Sequence, residues 1–328
     1  MSPKYACGDY SSGRRGKHAP SGRGDEKHSY ETGIIGVTMT GRLALGTVQF
    51  GLRYGVANTS GQVSPDEVTA ILQQARAAGV DTLDTAIAYG DSEQRLGEIG
   101  VEGWRVVSKL PAMPGDCTDA ADWVEEAVEC SLRRLNIDCL YGLLLHRSQQ
   151  LLEPRGEDLY AALVELKDKG LVEKFGVSIY DPEELDRLWS RFQLDLVQAP
   201  FNILDRRIET SGWLIRMRQA GTEVHVRSVF LQGLLLMEAN RRPEKFDRWQ
   251  PLWDRWNQWL IEQALTPVQA CLGFAMSRPE VDRVVVGVDN RRQLGEILSA
   301  AQTRVPALPT MLKTDDLDLI NPSRWDTL

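Results

Sequence analysis

The chain has no apolar run near the roughly 20 residues that a membrane-spanning helix needs, so a membrane protein of helical type is not expected. It has no surplus of positive charge either. The formal net charge is −8, which argues against a nucleic-acid footprint. Its five cysteines (Cys7, Cys117, Cys130, Cys139, Cys271) are odd in number, irregularly spaced and without a C-x-x-C pair. That pattern fits reduced thiols in a cytoplasmic protein better than a disulfide framework or a zinc site. No apolar segment opens the chain as a secretory signal would, and the acidic residues there speak against a transit peptide. Missing too is the G-x-G-x-x-G of a dinucleotide-binding sheet, since Gly46-Thr47-Val48-Gln49-Phe50-Gly51 does not match it.

What is present divides into two textures. Residues 1–40 are rich in Gly, Ser and Lys/Arg without hydrophobic period, and read as a disordered extension. Met39 is a candidate true start, and the Arg-Gly-Asp at 23–25 reads as chance. Residues 41–328 alternate short apolar strands with helical segments. Strands are expected to begin near Leu43, Asp81, Trp104, Asp138, Lys174, Asp195, Glu223 and Val281. Three helices open on one pattern: Ser64-Pro65-Asp66-Glu67, Asp181-Pro182-Glu183-Glu184 and Thr266-Pro267-Val268-Gln269 each set a capping side chain before Pro at the first helical position. Eight strand–helix units in one run, with no break in composition, favour a single α/β domain closed as a (β/α)8 TIM barrel. A longer stretch, Leu234 to Leu265, carries Trp249, Trp253, Trp256 and Trp259 at near-helical spacing. It reads as a helix packing its aromatic stripe on the barrel; the alternative is a lid whose indole faces a ligand.

Three consecutive strands end in ionisable groups: Asp84, then Lys109 after Val106-Val107-Ser108, then His146 after Leu143-Leu144-Leu145. Such groups avoid interiors unless paired. With Tyr89 on the second loop they form a constellation at one barrel mouth. A free phenol titrates near 10, and an ammonium beside a phenol lowers that value while a carboxylate keeps the ammonium charged. A neutral imidazole nearby can bond a substrate oxygen. This suits protonating a carbonyl oxygen as its carbon takes a nucleophile. No side chain donates hydride, so a nicotinamide would have to supply it.

From about Leu43 to Leu298 the chain resembles the aldo-keto reductase family. The resemblance rests on Leu45-Gly46-Thr47-Val48-Gln49-Phe50-Gly51, Asp84-Thr85-Ala86-Ile87-Ala88-Tyr89-Gly90-Asp91-Ser92-Glu93, Ser108-Lys109, Leu144-Leu145-His146, Gly176-Val177-Ser178, Leu196-Val197-Gln198-Ala199-Pro200-Phe201-Asn202 and Gln232-Gly233-Leu234-Leu235, in the family's order. It implies Tyr89 as general acid, Lys109 tuning it, Asp84 paired with Lys109, and His146 positioning the carbonyl. It also implies that Ser178 and Gln198 hold the nicotinamide carboxamide. Thr47, Val48 and the segment Ser228 to Gly233, with Phe230, would line the cofactor cleft. Gly287, Asp289, Gln293 and Glu296 would meet the adenosine half. Here Ile179 stands where the family usually has Asn, Val229 where it has Pro, and Arg227 where an aromatic ring commonly stacks on the nicotinamide. Arg291 and Arg292 can pair with a 2′-phosphate, whereas Asp289 suits a ribose hydroxyl; the expectation is NADP(H), with NAD(H) the alternative.

The function expected is therefore oxidoreduction between an aldehyde or ketone, a sugar or its derivative included, and its alcohol. Two other classes compete. One is a barrel lyase with Lys109 as Schiff-base nucleophile; the other is a non-catalytic regulatory subunit that binds NADP(H).

Overall fold

The computed structural model describes residues 39–306 and 308–328. The disordered extension expected over residues 1–40 lies almost wholly outside the described residues, so it stays an expectation. Eight parallel strands close in sequence order: β1 (Leu43–Gly46), β2 (Thr82–Asp84), β3 (Arg105–Leu110), β4 (Leu140–Leu145), β5 (Val172–Ser178), β6 (Leu196–Pro200), β7 (Glu223–Arg227) and β8 (Arg283–Gly287). Closure comes from β1 pairing with β8, Leu43 opposite Val284 through Gly46 opposite Gly287. The (β/α)8 barrel expected from the alternation is the observed fold.

The helix starts follow the capping chemistry that their sequences offer. Ser64 Oγ accepts the Glu67 amide at the head of Pro65–Ala77, and Thr266 and Gln269 exchange side-chain and backbone bonds ahead of Pro267–Met276. At Glu183–Leu188, Asp181 Oδ1 accepts the Glu183 amide while Glu184 Oε1 takes the amides of Tyr180 and Asp181. Helix Pro65–Ala77 buries Val68, Ile71, Leu72 and Ala75, one apolar stripe against the barrel.

The tryptophan-rich stretch folds as helix Gln250–Gln263, and its indoles are used up by packing. Trp253 and Trp256 are 0% and 1% exposed, and their Nε1 groups donate to Phe246 O and Leu235 O. Trp259 stacks on Trp256, and Trp249 Nε1 donates to Asp316. The lid alternative is therefore corrected: burying an indole and satisfying its N–H leaves nothing to face a ligand. Trp256→Ala should cost about 3–5 kcal/mol in denaturant unfolding. A cost within about 0.5 kcal/mol, the surface range, would return the residue to a solvent-facing role.

Candidate active site

The carboxyl ends of the strands gather the ionisable groups. Asp84 is the last residue of β2, and its carbonyl accepts both the amide and the hydroxyl of Thr47, at 2.9 and 3.0 Å. Ser92 Oγ donates to Thr47 O at 2.9 Å and lies 3.2 Å from Thr85 Oγ1. Thr47 is thus fully buried, and its side chain ties the β1 loop to the segment carrying Tyr89. Thr47 and Val48, both expected at the cofactor cleft, stand together just after β1. Glu93, next to Ser92, accepts from Ser108, Ser131 and Arg134, which pins the far end of the same loop to β3 and to helix Ala120–Leu135. Two glycines make room for it. A Cβ on Gly51 would lie 1.7 Å from Tyr89 O, and Gly90 sits at φ +56°, with its own Cβ position 2.5 Å from Gly51 O.

Lys109 projects from β3 into this frame, 1% exposed, its Nζ 2.6 Å from Asp84 Oδ1 and 3.0 Å from Thr85 O. It lies 5.0 Å from the centre of the Tyr89 ring. Burial alone would lower the Lys109 pKa. The Asp84 carboxylate and the Tyr89 phenol outweigh that and raise it, so the ammonium is held charged. The other Asp84 oxygen, Oδ2, accepts from Gln198 Nε2 at 2.6 Å. A carboxylate can only accept, so the amide nitrogen must face Asp84 and Gln198 Oε1 must turn away. That oxygen is buried and has no hydrogen-bond partner in the structure.

His146 follows β4 directly, with its ring centre 6.1 Å from that of Tyr89 and an interplanar angle of 79°. Burial first, then the positive charges of Lys109 and Arg227, push its pKa down to about 4, so the imidazole is neutral at physiological pH. Arg227 ends β7 and spends its donors on Ile179 O and Ser228 Oγ, with its guanidinium 4.6 Å from the Tyr180 ring centre. Burial raises the Tyr54 phenol, which also feels Tyr89, Arg227 and Tyr180. Tyr54 and Tyr180 are 41% and 37% exposed and were missed by sequence reasoning. The only available signal was that each stands a few residues beyond a strand end.

After β7 the backbone is left-handed at Ser228 (φ 60°), Leu231 (49°), Gln232 (53°) and Gly233 (88°), three of them residues that pay for it. Phe230 in this segment is 9% exposed and belongs to the core, so its ring is packed inward. Past β8, Asp289 accepts from Asn58 Nδ2, and its amide donates to Gln293 Oε1 at 2.7 Å. Burial raises the Asp289 pKa. Arg292 pairs with Glu296 at 2.9 Å, and Arg291 lies 3.8 Å from Glu67. Val48 opens the short helix Val48–Gly51 just after β1, and Ser178 ends β5 opposite Gln198 in the sheet. Asp84, Tyr89, Lys109, His146, Gln198 and Arg227 therefore form one connected group. Asp289 and Gln293 form a second with Asn58.

Buried Ser178 beside the orphaned Gln198 Oε1 supplies a donor–acceptor pair that fits a carboxamide. A Cβ on Gly233 would meet Ala57 at 2.6 Å, so that turn is packed against the β1 loop. These features suit a nicotinamide cofactor at the strand ends.

A closed barrel thus carries a buried charged pair and a neutral imidazole at the carboxyl ends of its strands. Residues 42–308 match the Aldo/keto reductase family, and the chain belongs to that family. It is 26% identical over 308 residues to a D-threo-aldose 1-dehydrogenase of Pseudomonas sp., covering 78% of this chain and 90% of that one. It is 28% identical over 225 residues to an NADH-specific methylglyoxal reductase of Escherichia coli, covering 62% and 67%. A probable voltage-gated potassium channel subunit beta of Arabidopsis thaliana is 24% identical over 318 residues, covering 86% and 94%. Among solved structures, a putative aldo-keto reductase from Pseudomonas aeruginosa superposes with TM-score 0.59 at 26% identity, covering 79% of this chain and 89% of that chain. The protein is an aldo-keto reductase enzyme, of the class that interconverts carbonyl compounds and alcohols with a nicotinamide cofactor. No described helix is long and apolar enough to cross a membrane.

The His146 shift carries a stability consequence with a definite sign. The ring binds its proton in the unfolded chain near 6.5 but in the folded one only near 4. Between those values the unfolded state holds more protons, so this contribution is complete above pH 6.5 and is lost as pH falls to 4. His146→Gln should remove that part of the pH dependence, at most about 3 kcal/mol, read as a flatter unfolding free energy between pH 6.5 and 4. An unchanged slope would contradict the depressed pKa.

Proposed function

We propose that the protein reduces an aldehyde or ketone, of sugar or sugar-like character, using NADP(H), with Tyr89 as the proton donor. The observation carrying this reading is the charged Lys109 held between Asp84 and Tyr89, with a neutral imidazole across the ring. A nicotinamide held by Ser178 and Gln198 at the strand ends would supply the hydride that the carbonyl carbon takes up. Tyr89 gives its proton to the carbonyl oxygen as negative charge develops there, and the Lys109 ammonium stabilises the phenolate left behind. His146, neutral, donates a hydrogen bond to the same oxygen and sets its angle. Asp84 acts through Lys109 without touching substrate. Ser178 and Gln198 hold the carboxamide. Tyr54, Tyr180 and Arg227 offer stacking and polar contact to a polyol, in keeping with the aldose named for one relative.

Arg291 and Arg292 are assigned to the 2′-phosphate. Their present carboxylate partners are exposed pairs of small worth, so a phosphate can displace them. The irregular cysteine spacing, with no C-x-x-C pair, is in keeping with reduced thiols and a cytoplasmic setting.

The lyase alternative fares worse. A Schiff base needs a neutral amine, and Lys109 is held as a buried ammonium by Asp84. The regulatory-subunit alternative keeps some support from the resemblance to channel beta subunits, and turnover decides it.

Tyr89→Phe should lower carbonyl reduction by roughly 10²-fold or more while leaving cofactor affinity unchanged in fluorescence titration. Wild-type turnover in that variant would sink the assignment. The double variant Arg291→Ala, Arg292→Ala should weaken NADPH and spare NADH; equal effects on both would remove the 2′-phosphate reading.

A further inference from the structure

The barrel's opposite end holds a second cluster of charge that the reaction does not use. A cavity of about 350 Å³ opens there among the starts of the strands, lined by Arg105, Tyr141, Lys174, Glu223, Asp282 and Arg283, with Arg218 at its edge. Barrel floors are usually filled by bulky apolar side chains. This one is open and sets four cations, Arg105, Lys174, Arg218 and Arg283, against two carboxylates, Glu223 and Asp282.

The carboxylates in reach are largely spent. Burial would raise the Glu223 carboxyl, but hydrogen bonds from His225, Lys174 and Tyr141 hold it well below the usual range. Its two oxygens are occupied by His225 Nε2 at 2.8 Å on one side and Tyr141 and Lys174 on the other. Asp81 is shared between Arg105 at 3.4 Å and Arg283 at 3.4 Å, and Thr82 Oγ1 also donates to it. Asp282 Oδ2 accepts the Val224 amide, leaving Oδ1 for Arg218 at 3.3 Å. These arginine contacts are long against the 2.7–2.9 Å typical of a committed charge-assisted bond. Behind the wall, the Arg42 guanidinium donates, among the described residues, to the backbone carbonyls of Met276, Arg278 and Val281. Five cations (Arg42, Arg105, Lys174, Arg218, Arg283) therefore face Asp81, Glu223 and Asp282. Adding Glu280, which Arg42 also feels, still leaves a positive excess in a chain of net charge −8.

We propose that this cavity on the amino-terminal face of the barrel is an anion site for a phosphate group, inorganic or carried as a small phosphate monoester, separate from the catalytic mouth. Planar guanidiniums at Arg105, Arg218 and Arg283 match the tetrahedral oxygens as forks. Lys174, with two of its three donors committed, has one left to give. Arg105 and Arg218, whose side chains are 48% and 60% exposed, turn toward an incoming anion with little loss.

The test is calorimetric titration of the full-length protein with inorganic phosphate, using chloride at matched ionic strength as control. Arg218→Glu and, separately, Arg105→Gln should each weaken phosphate binding tenfold or more while keeping the circular dichroism of the parent. The Arg291→Ala, Arg292→Ala variant, which touches the proposed cofactor cleft, should bind phosphate as the parent does. Binding lost only in that last variant, binding indifferent to Arg218→Glu and Arg105→Gln, or no binding beyond chloride would each overturn the site. Because none of these readouts is turnover, failure here is distinguishable from failure of the reductase reading.

Discussion

The Asp84 carboxylate is the interaction on which the rest of the site depends. One oxygen holds Lys109 Nζ at 2.6 Å and the other holds Gln198 Nε2 at 2.6 Å. A single buried anion thereby keeps a lysine charged at 1% exposure and fixes which way a glutamine faces 114 residues further along the chain. Neither partner would stay as it is without it. An unpaired buried ammonium would shed its proton or its fold, and an unconstrained amide could flip its oxygen out of reach of a ligand. In the proposed reaction, proton delivery and cofactor orientation are thus joined through one side chain.

The barrel makes this arrangement cheap to hold. Asp84, Lys109, His146 and Arg227 each stand at or beside the end of a strand, and Gln198 stands mid-strand in β6, buried in the sheet. Only Tyr89 comes from a loop. That loop is correspondingly the most heavily secured, by Thr47, Ser92 and Glu93 and by the close approach of Gly51 and Gly90. At the opposite mouth the same strands begin with a different polar layer, so the two ends of one barrel present opposite problems: a charged, carboxylate-paired lysine above and an excess of cations below.

Much of this was legible in the chain itself, for identifiable reasons. Strand positions were readable because buried parallel strands are short apolar runs between turn residues; β1 and β7 begin at Leu43 and Glu223, the residues expected, and β5 two residues earlier than expected, at Val172. Asp84, Lys109 and His146 stood out because apolar strands rarely finish in charge. The Asp84–Gln198 bond was not readable, since nothing local in either segment reveals a contact made only when the barrel closes. Nor was the bond from the Thr47 hydroxyl to Asp84 O readable, since a small polar residue after a strand does not reveal which neighbouring segment it will hold. Helical spacing exposed the tryptophan stripe but not the direction it faced, which only the acceptors at Phe246 O and Leu235 O decide.

The central claim, that Asp84 serves both halves of the site at once, is tested most directly by titrating folded Asp84→Asn with NADPH alongside Tyr89→Phe. The account predicts that the asparagine variant loses cofactor affinity by about tenfold or more, the worth of roughly 1.4 kcal/mol, while the phenylalanine variant binds as the parent does. Asp84→Asn with parental NADPH affinity would contradict it.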